Sequence, residues 1–105
     1  MNTNNQKSSA RAFLEKLRGG PLTFGGMLKS FRIADEISQV ELAQRMNVSR
    51  AYLCDIEHGR RPVSALKAAQ FAKNLGYSEA QFVALALEDQ LRNAGIDAHI
   101  ELKMA

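Results

Sequence analysis

The sequence predicts an all-α fold: a domain of five helices, with an extra N-terminal helix before it and a short C-terminal β-strand after it. Apolar residues recur three and four positions apart through most of the chain, as they do along the buried face of a helix. Most of these apolar segments follow a serine and end at a glycine or an asparagine, which are typical of helix starts and helix ends. With 105 residues, the chain is long enough for one domain with a single core.

The first 20 residues are expected to be a flexible segment that contains a short amphipathic helix. Residues 1–8 are polar and rich in Asn and Ser, a composition typical of disordered termini. Residues 9–18 carry apolar side chains at helical spacing, namely Phe13, Leu14 and Leu17, and a Gly-Gly-Pro sequence then ends this helix. The domain itself is predicted over residues 21–95.

The first two helices of the domain are predicted from apolar spacing and from one capping pattern. In the first, over about residues 24–35, Met27, Leu28 and Phe31 repeat at helical spacing. The second begins after Ser38 and runs to about residue 46. Ser38 and Glu41 form a capping box, in which the hydroxyl and the carboxylate each accept a hydrogen bond from a backbone N–H.

A sharp turn and a third helix follow. Asn47 tolerates a positive φ and Ser49 is a favoured N-cap, so the chain is expected to turn within a few residues. The third helix then runs to about residue 57, and Gly59 ends it.

Serine and glycine also mark the last two helices. Ser64 caps the fourth helix, which ends at Gly76 and whose core-facing residues are predicted to be Leu66, Ala69, Phe71 and Leu75. The fifth begins after Ser78 and ends at Asn-Ala-Gly. It carries a wide apolar band, formed by Phe82, Val83, Leu85, Ala86, Leu87 and Leu91.

The periodicity changes over residues 96–105, which are predicted to form a strand that dimerises the protein. Ile100, Leu102 and Met104 alternate with charged residues, as in a half-buried strand. A single strand leaves its backbone donors and acceptors unpaired, so we predict a homodimer in which this strand pairs with its counterpart. The alternatives are a frayed tail or a segment that orders on another protein. If the strand is not the dimer element, the fifth helix is the next candidate, through Phe82, Leu85 and Leu87.

Composition and charge exclude several classes of protein. No apolar run approaches the roughly 20 residues needed to cross a bilayer, and the N-terminus lacks an apolar signal stretch, so a cytoplasmic protein without membrane contact is expected. The net charge is +3 and eleven of the 14 Lys and Arg residues precede residue 70, which makes the N-terminal two-thirds the likelier anion-facing part. The lone Cys54 forms no internal disulfide, and no Cys/His spacing suits zinc.

Residues 38–59, SQVELAQRMNVSRAYLCDIEHG, carry the pattern that is most informative about function. Two short helices joined by a tight turn would be held together by apolar contacts between Leu42, Val48, Leu53 and Ile56, with the small Ala43 where they approach closely. The segment strongly resembles the helix-turn-helix of the Xre/Cro/phage-repressor family, and the resemblance extends over about residues 24–76. That family has Gln at the start of the second helix, then Glu-Leu-Ala, Val-Ser at the turn, and Ile/Leu-Glu-x-Gly at the end. Asn47 and Cys54 depart from it, because relatives often have glycine and a polar residue there.

The resemblance implies a lambda-repressor-like fold and a sequence-specific repressor that binds an inverted-repeat operator in double-stranded DNA as a homodimer. It implies base contacts from the third helix, through Arg50, Ala51, Tyr52, Cys54 and Asp55, with Arg50 on guanine and Asp55 either accepting from cytosine or orienting Arg50. It implies phosphate contacts from Gln39, Ser49, Arg60 and Arg61. It also implies a buried structural ion pair between Arg32 and Glu57. The alternative for the third helix is a solvated face with an Arg50–Asp55 ion pair.

The acidic pairs, the two histidines and Cys54 do not form a pattern typical of an active site. Asp35-Glu36 and Glu88-Asp89 are interpreted as solvated surface and not as a catalytic dyad, because neighbours on a helix point about 100° apart. His58 and His99 are interpreted as bystanders and Cys54 as a small packing residue. We therefore predict no enzymatic activity, no metal and no cofactor. Small proteins of this kind also resemble antitoxins, which bind a toxin protein and repress their own operon, and transcriptional cofactors that hardly touch DNA.

Overall fold

The computed structural model describes Lys16 and residues 19–105. This part of the chain contains five helices: α1 (Phe24–Ala34), α2 (Gln39–Met46), α3 (Arg50–Glu57), α4 (Ala65–Leu75) and α5 (Glu79–Asn93). The predicted all-α fold and its five helices are confirmed, with bounds close to those expected. The predicted N-terminal helix over residues 9–18 lies, apart from Lys16, outside the described residues. No helix of the described part is long and apolar enough to span a bilayer.

All five helices begin with the same capping bond, because a hydroxyl stands just before each of them. The side-chain oxygen accepts a hydrogen bond from the backbone N–H three residues on, at 3.0 to 3.2 Å; the capping residues are Thr23, Ser38, Ser49, Ser64 and Ser78. The second half of the predicted capping box is not formed. The Glu41 carboxylate instead accepts a hydrogen bond from Arg45 one turn later, at 2.9 Å, because that charged partner is within reach on the same helix face.

All five helices also end in the same way. A residue with positive φ follows each helix, and the N–H after it bonds to the carbonyl five residues back; the positive-φ residues are Glu36, Asn47, Gly59, Gly76 and Gly95. Asn47, at φ 60°, adopts the left-handed conformation that the sequence predicted for the turn. The ends of the helices are therefore set by local hydrogen bonds, and the connections between them can be short.

Five helix pairs enclose one core. α4 packs along α5, α2 packs on α3 and α4, and α1 packs against α3 and α5. The largest buried side chains include Phe24, Leu28, Leu53 and Phe82. Phe24 meets Phe82 edge to face at 5.5 Å, which joins α1 to α5.

The prediction for the buried face of α4 was partly wrong. Leu66 is 70% exposed, and the buried residues of this helix are Ala68, Phe71 and Ala72. Leu66 precedes Ala68 by two positions, about 200° around the helix, so the two side chains cannot share one face.

The interpretation of Glu88-Asp89 as solvated surface was wrong. Asp89 is half-buried and accepts a hydrogen bond from the backbone N–H of Phe24 at 3.1 Å, while Arg92 holds its other oxygen at 2.9 Å. Glu88 is only 1% exposed. Asp89 thus binds a free N–H in the first turn of α1 and fixes the contact between α1 and α5.

The described C-terminal segment contains no β-strand, so that element of the prediction was wrong for the single chain. A strand requires a backbone partner, and here the N–H of Ile100 donates to the Glu88 carboxylate at 3.1 Å. His99, taken for a bystander, lies 3.8 Å from the same carboxylate. The predicted alternation persists without the strand, since Ile100 and Leu102 are half-buried while Met104 is 52% exposed.

α1 approaches α3 closely at Gly25, in the first turn of α1. A methyl group on its Cα would overlap the backbone carbonyl oxygen of Ile56, near the end of α3. A backbone atom cannot move aside as the end of a flexible side chain can. α1 therefore reaches its position against α3 only because residue 25 has no side chain.

Gly25→Ala is expected to destabilise the protein by about 1–3 kcal/mol, the usual range for overpacking. Alanine favours helices over glycine by about 1 kcal/mol, so the steric overlap has to outweigh a gain in helix propensity. Chemical denaturation measures the free energy of unfolding. Gly20→Ala is the matched control, because a methyl group there meets open space. Equal stability of the two variants would contradict the close approach.

Candidate nucleic-acid interface

The turn between α2 and α3 presents one face of α3 to solvent. Leu53 and Ile56 turn the opposite face of α3 into the core, and Leu42 and Met46 of α2 are buried with them. The outward residues follow from helical spacing: Arg50 and Ala51 are exposed, and Cys54 and Asp55, one turn later, are half-exposed; together these four form the outward face of α3.

A buried carboxylate holds α3 in this orientation. Glu57, the last residue of α3, has a side chain only 1% exposed and is bound at both oxygens by Arg32 of α1, at 2.9 and 3.1 Å. The amide of Gln39, the first residue of α2, donates a third hydrogen bond to it at 3.1 Å. One carboxylate thus joins three helices, and the predicted pairing of Arg32 with Glu57 is present in the structure.

The balance of these contacts sets the charge of Glu57. Burial alone would raise the pKa of the Glu57 carboxyl, but the hydrogen bonds from Arg32 and Gln39 and the positive charge of Arg32 together lower that pKa below its ordinary value. The same pairing raises the pKa of Arg32. Both groups are therefore held in their charged forms.

Two of the residues predicted to touch phosphate lie at helix N-termini. Gln39 begins α2, and its amide is held in place by Glu57 while its second N–H remains for another acceptor. The hydroxyl oxygen of Ser49 accepts the capping bond from the Tyr52 N–H at 3.0 Å, which leaves its O–H as a donor.

The residues predicted for base readout have different surroundings. Arg50 is exposed and its side chain has no partner among the residues that the structure describes. Tyr52 does not belong to the outward face, because its ring packs against the core and the guanidinium of Arg61 lies 4.5 Å from the ring centre. Arg61 is thereby held beside α3.

Asp55 pairs with Arg60 and not with Arg50. Its carboxylate accepts a hydrogen bond from Arg60 Nε at 3.0 Å, and Arg60 Nη2 lies 3.6 Å from the sulfur of Cys54. The predicted alternatives in which Asp55 orients Arg50 or forms an ion pair with it are therefore wrong for this structure, because Arg60 occupies the carboxylate. The hydrogen bond that Arg60 donates to Asp55 raises the pKa of Arg60.

A family model described as helix-turn-helix (HTH_3) matches residues 28–82, just over half of the chain. The chain belongs to the Xre/Cro-like helix-turn-helix family. Within this family α3 is the recognition helix, and the protein is a DNA-binding transcription regulator. No curated protein and no solved structure matches the chain. In the described part of this helix-turn-helix protein, no three His, Cys, Asp or Glu residues are grouped so that they could hold a metal ion.

Sequence reasoning missed one feature of the recognition helix. It treated Arg60 and Arg61 as equivalent loop cations, whereas Arg60 lies against Asp55 and Cys54, and Arg61 lies against Tyr52. In the sequence, Gly59 could have indicated that Arg60 and Arg61 have different surroundings. Its φ of +72° turns the chain so that the Arg60 N–H bonds to the Asp55 carbonyl at 2.8 Å, which brings the two side chains together.

Arg32→Ala is expected to destabilise this helix-turn-helix domain by about 3–5 kcal/mol, because it leaves the buried Glu57 carboxylate without its cation. Glu57→Ala is expected to cost less, about 1–3 kcal/mol, since the Arg32 side chain is 17% exposed and can regain water. Thermal or chemical denaturation gives both values. A matched control is Arg45→Ala, which breaks the exposed pair with Glu41 and should change stability by less than about 1 kcal/mol. An unchanged Tm for Arg32→Ala would refute the role of the pair.

Stability is also expected to fall in acid because of Glu57. A carboxyl whose pKa is lower in the folded state than in the unfolded state stabilises the protein above its unfolded pKa of about 4.3. That contribution is lost as the pH falls through the folded pKa. The free energy of unfolding should therefore decrease more steeply below about pH 5 for the wild type than for Glu57→Gln. Parallel curves for the two proteins would contradict the lowered pKa.

Proposed function

We propose that this transcription regulator is a repressor that binds an inverted-repeat operator as a homodimer and reads base pairs with the outward face of α3. The observation that carries the proposal is that the Arg50 side chain is exposed and unpaired in the described part of the chain. It lies at the N-terminal end of α3, on a helix that a buried ion pair holds in place.

Two residues of the outward face have a direct role in base readout in this proposal. The Arg50 guanidinium can donate two parallel hydrogen bonds to guanine O6 and N7 in the major groove. The Ala51 methyl group can contact a thymine methyl group. Because the N-terminal residues of a recognition helix reach furthest into the groove, Arg50 is the main reader.

Three residues around the outward face would contact phosphates. The remaining N–H of the Gln39 amide and the Ser49 O–H are donors at the N-termini of α2 and α3, where the helix dipole also favours an anion. Arg61, held on the Tyr52 ring, supplies a positive charge beside α3. Such contacts fix the position of the protein on the duplex, and the base contacts give specificity.

Arg50→Ala is expected to relax specificity at one base pair of each half-site and to weaken operator binding by about 1–3 kcal/mol. Arg61→Ala should instead weaken binding to all sequences and lower the dependence of log K on log salt concentration by about 1. A selection on random duplex DNA, followed by affinity measurements at several salt concentrations, separates the two effects.

The wild-type selection also tests the proposal as a whole. If it enriches no motif, and all duplexes bind equally, the repressor function is refuted and a cofactor that hardly touches DNA is favoured. Lys73→Ala is a suitable control, because this cation is 68% exposed near the end of α4, beside Glu79 of α5, and should affect neither the motif nor the salt dependence.

We also retain the homodimer through residues 96–105 as part of the proposal. In an extended segment, successive N–H groups point to opposite edges. With the Ile100 N–H bound to Glu88, the backbone groups of His99 and Glu101 would lie on the other edge, where a second copy could pair. The alternative interface on α5 is less favoured, because two of its three residues, Phe82 and Leu85, are buried in the core of one chain and only Leu87 is partly exposed.

Glu101→Pro is expected to weaken dimerisation at least tenfold, because proline removes one backbone donor from the edge that would pair. Light scattering over a concentration series measures the dimer. Glu101→Ala is the control, since it removes the side chain but keeps the backbone N–H at this position. If Glu101→Pro and a truncation after Gly95 both remain dimers with full operator affinity, another surface forms the dimer.

A further inference from the structure

Arg60 lies outside α3 in the sequence but beside its outward face in space. Gly59 reverses the chain, so the Arg60 N–H binds the Asp55 carbonyl at 2.8 Å and Arg60 Nε binds the Asp55 carboxylate at 3.0 Å. Arg60 Nη2 lies 3.6 Å from the Cys54 sulfur. Both contacts are to residues of the outward face, which Arg60 thereby extends beyond the end of the helix.

The contact with Asp55 leaves the end of the Arg60 guanidinium available for another acceptor. Asp55 binds Nε, and on the same edge Nη2 has only a weak sulfur acceptor. The parallel pair of N–H groups at the end of the guanidinium, one on Nη1 and one on Nη2, has no acceptor among the described residues. The side chain is 56% exposed despite its pairing. A phosphate can accept from a cation that approaches in many orientations, whereas a bidentate contact to the fixed O6 and N7 edge of guanine needs a guanidinium of fixed orientation.

We propose that Arg60 is a second base-reading residue, which donates to O6 and N7 of a guanine, and that Asp55 is the positioning residue that orients it. This inference rests on the proposed function and assigns Arg60 to a base instead of a phosphate. Asp55 lies five residues after Arg50, about 7.5 Å along the helix, and base pairs are about 3.4 Å apart. Because this separation exceeds one base-pair step, Arg60 reads a different base pair of the half-site from the one that Arg50 reads.

The test compares the motifs that full-length variants select from random duplex DNA. Arg60→Lys keeps the positive charge but loses the planar pair of donors, and Asp55→Asn keeps the size of the side chain but removes the charge that orients Arg60. Both variants are expected to lose a preference of about tenfold or more for guanine at the same position of each half-site, while the preference due to Arg50 remains. Circular dichroism verifies that the variants fold.

Arg45→Lys is the matched control. Arg45 pairs with Glu41 at 2.9 Å, and both side chains are about half exposed, like those of Arg60 and Asp55. This pair lies on α2, and neither side chain contacts the outward face of α3 in the described part of the chain. Its disruption should change the preference at no position of the motif.

Two outcomes would overturn the inference. If the wild type selects a motif that Arg60→Lys and Asp55→Asn leave unchanged, and Arg60→Ala weakens all sequences equally with a smaller salt dependence, Arg60 contacts a phosphate and only this inference fails. If the wild type selects no motif, the proposed function fails and the inference fails with it.

Discussion

The position of the outward face of α3 depends on the carboxylate of Glu57. This carboxylate is buried, and a buried charge is tolerated only when other groups of the protein satisfy it. Arg32 binds both of its oxygens and Gln39 binds one, so satisfying this single group brings together the end of α3, α1 and the start of α2. The contact of Gly25 with the Ile56 carbonyl, one residue earlier on α3, fixes the same junction by steric fit.

This junction links stability to recognition. Gln39 lies in the ion-pair network and also at the N-terminus where a phosphate would bind, so the network would position a DNA contact as well as a helix. Arg50 lies at the other end of α3, two turns from Glu57, and is left without a partner in the described structure. The ion pair thus fixes the C-terminal end of α3, while the N-terminal end, with Arg50, remains available to bind DNA.

Local chemistry explains why the helices could be predicted from the sequence. Ser38, Ser49, Ser64 and Ser78 each accept the capping bond expected of them, and Asn47 adopts the positive φ that the turn requires. The residues that form these bonds are three to five positions apart, so the pattern is visible in a short stretch of sequence. The family resemblance added the Arg32–Glu57 pair, which joins residues far apart in the chain.

The features that sequence reasoning did not find depend on contacts between distant segments. Glu88 and Asp89 have the sequence context of a solvated helix face, and only the return of residues 96–105 and the position of α1 bury them. The predicted strand had the correct alternation but no backbone partner among the described residues. For Arg60, the side-chain partner became evident only once the turn at Gly59 was known.

A double-mutant cycle on Arg32 and Glu57 tests most directly whether this ion pair holds the structure around α3. Unfolding free energies of the wild type, Arg32→Ala, Glu57→Ala and the double variant give the coupling energy, and the same cycle on the exposed pair of Arg45 and Glu41 gives the reference. We predict a coupling of about 2 kcal/mol or more for the buried pair and less than about 0.5 kcal/mol for the exposed pair. Equal and small couplings would contradict the central role assigned to Glu57.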